Sequence, residues 1–307
     1  MTRILVTGGA GMVGRALAEA LPDVIATDLA RGALPDTVRF RRMDVTGADP
    51  DTVIGDEKPD VVVHLASIVT PPPGMTREQA FAVDVTGTRN VLDACIRHNV
   101  RRIVVTSSGA AYGYHADNPV PLTEDAPCRG NPEFAYADHK RQVEEMLAEA
   151  RATHPALEQV VLRVGTVLGA GTENQITALF HRPRLLAVKG ADSPFVFIWT
   201  HDLARIVECA ATDGHPGIYN VAGDGWLTVD DLANRLGKPV LRVPAWSLKA
   251  ALAVGHPLGL IQYGPEQVRF LQYRPVLAND RLKTVFGYVP ELTSAEVFDL
   301  WLKEAGL

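Results

Sequence analysis

Six short strand-like runs punctuate the first half of the chain. They are Ile4-Leu5-Val6-Thr7, Val24-Ile25-Ala26-Thr27, Val38 to Met43, Val61 to Ser67, Arg102 to Thr106 and Val160 to Val164. Most are near-continuous in apolar residues, as strands buried on both faces should be. Between them apolar residues fall at helical spacing. Arg15 to Leu21 is one such stretch, and Tyr136 to Ala152 another. A third, Thr76 to His98, carries Ala80, Phe81, Val83, Val85, Val91, Leu92, Ala94 and Cys95, with Gly87 inside it for close packing. Strands alternating with helices imply a parallel sheet covered on both faces, and right-handed crossovers make it doubly wound. The expected fold class is α/β: a Rossmann-type doubly wound parallel sheet with a smaller mixed α/β C-terminal lobe. Ligands of such sheets bind at the carboxyl ends of the strands.

From about Gly169 the pattern loosens. Phe195 to Trp199 reads as a strand before a helix capped by Thr200, and Ile218 to Val221 as another strand. Thr228 caps a helix through Leu236, and smaller helices are expected near 246–254, 265–271, 279–285 and 294–304. The expected division is a dinucleotide-binding domain over 1–168, with 195–222 returning to it, and a smaller substrate-binding lobe over 169–307.

Composition narrows the classes. The chain has 307 residues, 47% of them apolar, which is enough for a sizeable core. A net charge of −6 argues against a nucleic-acid partner, which needs a basic face. Cys95, Cys128 and Cys209 are scattered, as in a reducing compartment. The first strand starts within five residues of Met1, which leaves no room for a signal peptide. The apolar stretch Leu248 to Ile261 is broken by Lys249, Gly255, His256-Pro257 and Gly259, too short and interrupted to span a bilayer. The expected setting is cytoplasmic, with no membrane partner. The nine histidines show no ligand-like spacing with cysteine or acid, so no metal is expected.

Three glycines, Gly8, Gly11 and Gly14, separate the first strand from the first helix. A strand turning into a helix on small residues points backbone N–H groups and the positive helix end at one spot, which suits a phosphate. Asp28 ends the next strand, twenty positions after Gly8, where a carboxylate can hold the hydroxyls of an adenosine ribose. Asp44, after the third strand, either meets an adenine edge or caps the following helix. His64, inside the fourth run, is expected as a hydrogen-bonded core histidine.

Tyr136-Ala137-Asp138-His139-Lys140 places a phenol and an ammonium four apart on one helical face. A neighbouring cation favours phenolate and brings an ordinary pKa of about 10 toward working pH. Ser108, at the end of the fifth strand, is placed to hydrogen-bond the same substrate oxygen.

With these residues assembled, the chain resembles the extended short-chain dehydrogenase/reductase family, also called the NAD-dependent epimerase/dehydratase family. TGGAGMVG is similar to its glycine motif, HLAS to its fourth-strand end, VDVTGTRNVL to its dimer helix and TSSGAAYG to its serine strand. PLTEDAP, YADHK, LRVGTVLG, FIWTHDLA and YNVAG continue the resemblance through most of the chain. It implies that Tyr136 is the general acid/base, that Lys140 binds the nicotinamide ribose and tunes Tyr136, and that Ser108 orients the reacting C–O bond. It places Gly8, Gly11, Met12, Val13 and Gly14 under the pyrophosphate, Asp28 on the adenine ribose and Asp44 with Val45 on the adenine. Leu65, Ala66, Ser67 and Ser107 would lie on the nicotinamide side. The implied cofactor is NAD rather than NADP, because Asp28 repels a 2′-phosphate, although Arg31 stands near enough to compensate. A homodimer through the helices near 76–98 and 136–152 is also implied.

Departures from the pattern bear on the substrate. The acidic pair that family dehydratases carry is replaced by Gly109 and Ala110. Phe195 stands where nucleotide-sugar members have an arginine that grips the diphosphate, with Arg274 or Arg281 as other candidates. Asp84 replaces the usual asparagine of the dimer helix, and an ionised Asp only accepts hydrogen bonds. The leading expectation is an oxidoreductase transferring hydride between nicotinamide and a secondary alcohol or ketone carbon. Its small-molecule substrate would contact Ser108, Tyr136, Phe195 and Arg274 under an apolar cover, Trp246 to Phe270. The alternative is a nucleotide-sugar epimerase using the same residues. A non-catalytic dinucleotide sensor is the remote one.

Overall fold

Ile4 and Val6 pack into one apolar cluster while Leu5, between them, packs into another. That alternation marks a strand buried on both faces. The computed structural model describes residues 2–72, 74–172, 174–255 and 264–307. The first half runs β1 (Ile4–Thr7), α1 (Met12–Ala20), β2 (Val24–Asp28), β3 (Arg39–Arg42), α2 (Asp49–Glu57) and β4 (Val61–His64). It continues with α3 (Arg77–Phe81), a π-helical turn (Ala82–Thr86), α4 (Gly87–Arg97), β5 (Arg102–Ser108), α5 (Ala135–Thr153) and β6 (Glu158–Val164). The second half runs β7 (Thr166–Leu168), α6 (Gln175–Phe180), β8 (Leu185–Val188), β9 (Phe197–Trp199), α7 (Thr200–Ala211) and β10 (Gly217–Val221). It ends with α8 (Val229–Leu236), β11 (Val240–Val243), α9 (Ala245–Gly255), α10 (Gln267–Gln272) and α11 (Ser294–Ala305).

The main sheet has seven parallel strands in the order β3-β2-β1-β4-β5-β6-β10. Strand order reverses between β1 and β4, the switch point at which Rossmann-type sheets bind dinucleotides. Leu17 and Ala18 of α1 and Leu203, Ile206 and Val207 of α7 cover one face. Val53 and Ile54 of α2, Val91 and Leu92 of α4, and Val143 and Leu147 of α5 cover the other. A third cluster builds the smaller lobe around Phe180, Phe195, Phe197, Phe298 and Trp301.

Several boundaries differ from the sequence expectation. Thr200 does not cap α7: the helix starts at Thr200 itself, Trp199 is the N-cap residue, and the Thr200 side chain packs on Gly169. The expected strand at Phe195 to Trp199 shortens to β9, which pairs with β7, while Phe195 forms an isolated bridge to Leu227. Within 195–222, α7 and β10 pack on or join the main sheet, and β9 belongs to a separate two-stranded sheet. The helix expected near 279–285 is a π-helical turn, Leu282–Phe286. Part of the expected cover, 256–263, lies outside the described residues. Beside it α9 leaves Trp246 exposed. No helix among the described residues is long and apolar enough to cross a membrane.

Candidate active site

The glycine turn is shaped by close approach. Gly8 has φ +66°, and a Cβ there would lie 2.8 Å from the Ala66 amide nitrogen, so β1 and the end of β4 meet backbone to backbone. A Cβ on Gly14 would lie 2.6 Å from the Gly8 carbonyl oxygen, so α1 packs tightly on the turn. The Gly11 N–H donates to the Gly8 carbonyl. Gly11 is the N-cap of α1 with no side-chain cap, which leaves the first N–H groups of the helix for an anion.

Asp28, the last residue of β2, closes this turn. Its Oδ2 accepts from the Ala10 N–H at 3.2 Å and its Oδ1 from the Leu29 N–H at 2.8 Å. Arg31 is spent elsewhere: its guanidinium donates to the carbonyls of Pro35 and Val38 and covers the Phe40 ring. Asp44 does not cap α2, whose N-cap is Ala48; its Oδ1 instead accepts from the N–H and hydroxyl of Thr46. Those bonds hold its carboxyl below the usual range. Val45 packs against the Gly87 position, where a Cβ would lie 2.7 Å from its Cγ2.

His64 is locked in a chain of hydrogen bonds. The Thr88 hydroxyl donates to the Asp84 carbonyl, so it accepts from His64 Nε2–H at 2.9 Å. On the other side Nδ1 accepts from the Thr7 hydroxyl at 2.7 Å, and Thr7 accepts from the Ala66 N–H. Burial, with the Lys140 charge, pushes the ring down to about 3, so His64 is a neutral core residue. It ties together β1, β4 and α4 where the candidate residues Leu65, Ala66 and Ser67 begin.

Ser108, Tyr136 and Lys140 converge beside this corner. Ser108 ends β5, and its hydroxyl accepts from the Ala110 N–H at 3.2 Å and donates to the Val164 carbonyl at 3.4 Å. Lys140 Nζ donates to the Thr106 carbonyl at 2.9 Å and lies 5.7 Å from the centre of the Tyr136 ring. The sequence leads one to expect a phenol made more acidic by Lys140; the structure shows the opposite balance. Burial lifts Tyr136 to about 12, Asp84 adds to the rise, and the Ser108 hydroxyl works against it. Ser107 Oγ is buried without a partner among the described residues.

Two residues stand behind this group: Asp84, read in the sequence only as a substitution, and His139, which the sequence reading did not single out. Asp84, on the π-helical turn, accepts from Ser67 Oγ at 2.9 Å, from the Ile68 N–H at 2.8 Å and from His139 Nδ1 at 2.9 Å. His139 lies inside the Tyr136–Lys140 motif, one residue before the lysine. A histidine there, next to a lysine on a buried helix face, was the available signal.

The residues expected on the substrate side stand among aromatic rings. Tyr114 meets Phe134 at 5.0 Å and Phe270 at 5.2 Å, both edge to face, and Tyr136 packs in the same cluster. Arg274 lies between two rings, 3.9 Å from the centre of Phe195 and 4.5 Å from that of Phe270. It is 9% exposed, and its Nε and Nη1 have no partner among the described residues. Burial brings it down to about 9, so it stays a cation at neutral pH. Phe195 is a buried platform for this guanidinium, stacked on Phe197. The two line a cavity of about 50 Å³ with Ser193, Arg182 and Arg184. Arg281, the other candidate, is paired with Asp125.

Two other features lie apart from these residues. A groove of about 610 Å³ at the amino ends of the strands, lined by Arg3, Asp23, Lys58 and Asp60, gathers none of the candidates. Ligand atoms of His201, Asp202 and Glu291 come within 4.8 Å of one another. There the buried Asp202 accepts from the Tyr288 hydroxyl and the Glu291 N–H, tying α7 to the chain before α11. This cluster stands at a helix N-terminus, where the dipole disfavours a cation.

Comparison with known proteins decides the family. Residues 4–222 match the model of the NAD dependent epimerase/dehydratase family. The chain belongs to this family. Its members are NAD-dependent enzymes, and the glycine cradle, the free helix end and Asp28 fit that cofactor. A UDP-glucose 4-epimerase of Azospirillum brasilense is 36% identical over 55% of the chain and 50% of that protein. An uncharacterized protein of Mycobacterium tuberculosis is 26% identical over 99% of the chain and 84% of its own length. The solved UDP-glucose 4-epimerase of Thermotoga maritima, with UDP-glucose, is similar in fold. Its TM-score is 0.75 at 20% identity, covering 99% of the chain and 98% of that structure.

Proposed function

We propose that this family member transfers hydride between nicotinamide and a secondary alcohol or ketone carbon of a substrate that carries an anionic group. The observation that carries the reading is the placing of Lys140 Nζ 5.7 Å from the centre of the Tyr136 ring on α5, with Ser108 at the carboxyl end of β5, on which Lys140 is anchored through the Thr106 carbonyl. Bound NAD supplies the hydride acceptor, and NADH the donor. Tyr136 gives the ketone oxygen its proton, or takes the proton of the alcohol. Ser108 donates a hydrogen bond to the same oxygen and fixes its orientation. Lys140 places a positive charge behind the phenol and holds ribose hydroxyls. Gly8, Gly11, Met12, Val13 and Gly14 form the pyrophosphate seat, Asp28 takes the adenine ribose, and Asp44 with Val45 bounds the adenine. Leu65, Ala66, Ser67 and Ser107 bound the nicotinamide. Asp28 without a free Arg31 supports NAD over NADP.

Arg274 supports the anionic group. A buried guanidinium with open donors loses free energy unless an acceptor meets it, and its planar fork suits a carboxylate or phosphate. The nucleotide-sugar epimerase is the second reading, favoured by the Azospirillum relative. Gly109 and Ala110 offer no acid for dehydration. Helices α3, α4 and α5, with Phe81 partly exposed, are the surface we infer for a homodimer, and the cytoplasm the compartment.

The test is NADH formation with secondary alcohols offered with and without a carboxylate, alongside interconversion of UDP-glucose and UDP-galactose. Arg274→Met should raise KM for the anionic alcohols roughly 10-fold or more, as loss of a charged hydrogen bond does, and leave NAD binding unchanged. Redox-neutral interconversion of the UDP-sugars, with no net NADH, would select the epimerase. Equal KM values for Arg274→Met would remove the anion site.

A further inference from the structure

Helix α9 carries a single charge, Lys249, among its 11 residues. A helix apolar on every side belongs in a core or in lipid. Yet none of its residues is buried. Its inner side, Ala245, Leu248 and Leu252, rests on Val188, Val268 and Leu271. Trp246, Ala250, Ala253 and Val254 fall at helical spacing on the opposite side. All four are exposed, Trp246 by 75% and Val254 by 63%. The strand before α9 adds a second apolar pair: Leu241 of β11 lies in register with Leu186 of β8, and both are exposed. Beyond α9 the sequence continues through Leu258, Leu260 and Ile261.

Charge is segregated in the same place. In a chain of net charge −6, no Asp or Glu occurs from Leu232 to Pro265, while Arg235, Lys238, Arg242 and Lys249 fall inside that stretch. Asp299 and Asp230 take up Arg235 and Arg242. Lys249 is exposed on the outer side of α9. Arg182, Arg184 and Lys189 are exposed beside β8, and the Lys189 N–H donates to the Val243 carbonyl at 2.8 Å, just ahead of α9. The apolar face is therefore fringed by cations.

We propose that this face, centred on Trp246 and Val254 of α9, docks on the surface of an anionic phospholipid membrane, with the helix lying in the plane of the bilayer. The exposed apolar side chains enter the boundary between headgroups and acyl chains. The Trp246 indole, apolar with one N–H, sits at headgroup level. Lys249 and the cations beside β8 meet lipid phosphates. Lying on a bilayer needs no span, so the shortness of this stretch argues against a transmembrane segment and not against a surface helix. A second copy of the chain fits the face less well, because a two-fold axis through it would set these cations against their own counterparts.

The test reads no turnover and is independent of the catalytic reading. The full chain is sedimented with vesicles of phosphatidylcholine alone, and with vesicles of phosphatidylcholine and phosphatidylglycerol in equal parts. Partitioning onto the mixed vesicles should exceed that onto the neutral ones roughly tenfold or more, and should weaken with added salt. Joint replacement Trp246→Ser and Val254→Ser should lower the partition coefficient roughly tenfold or more. Lys249→Gln should lower it about fivefold, on the mixed vesicles only. The native chain gives the same decision without those variants: phosphatidylcholine brominated in its acyl chains, placed in the mixed vesicles, should quench tryptophan fluorescence. Trp246→Phe should remove the larger part of that quenching. No sedimentation with the mixed vesicles overturns the proposal, as does equal binding by the Trp246 and Val254 double variant. Equal binding to neutral and mixed vesicles overturns the part assigned to the cations. If vesicles bind neither protein, and the double variant loses a self-association that the native chain shows in analytical ultracentrifugation, the face joins copies of this chain and the lipid reading falls.

Discussion

Burial holds the Tyr136 phenol protonated at neutral pH, with a pKa near 12, so the residue is ready to give a proton before it is ready to take one. The sign follows directly. Ketone reduction consumes the protonated phenol and should be flat through neutral pH. Alcohol oxidation needs phenolate and should climb roughly tenfold per pH unit below the phenol's titration. Rates of oxidation between about pH 6 and about pH 9 check this, and a flat profile would show that another group takes the proton. At the far end of the proposed cofactor seat, Asp28 spends one oxygen on Ala10 and one on Leu29, while Arg31 is bound to two carbonyls. Asp28→Asn should therefore narrow the preference for NAD over NADP by about tenfold or more, read from the two dissociation constants. An unchanged ratio would remove Asp28 from the ribose site.

The elements explain which parts were legible in advance. Strands β1, β2, β4, β5 and β6 were readable because burial on both faces leaves near-continuous apolar runs, whereas β3 is a polar edge strand; Thr7, Asp28 and Ser108 fall at the carboxyl ends of β1, β2 and β5. The π-helical turn was not, because a helix with one wide turn keeps helical spacing in its apolar residues. Asp84 was noticed only as a substitution. Arg274 could be named but not placed, since nothing in the sequence fixes α10 against Phe195. The tie between α5 and β6 shows the same limit. Arg163 forms a buried bidentate pair with Glu144 and donates to the Tyr112 hydroxyl, which donates in turn to Asn220. Arg163→Met would strand a buried carboxylate and should cost about 3–5 kcal/mol in denaturant unfolding. Adding Glu144→Leu should recover most of that loss. A loss under about 1 kcal/mol would mean that the pair is solvated and not structural.

Across the whole molecule, the parallel sheet brings the residues proposed for cofactor binding and catalysis to the carboxyl ends of its strands, and the lobe after β6 holds Arg274 between the Phe195 and Phe270 rings. The cofactor half follows from the family. The acid/base role of Tyr136 is the claim on which the proposed reaction depends. It is tested most directly by turnover and NAD affinity in Tyr136→Phe, which keeps the ring and removes only the hydroxyl. The account predicts an unchanged NAD dissociation constant and turnover reduced roughly 10²–10⁴-fold. Turnover within about twofold of the native protein, at equal NAD affinity, would contradict it.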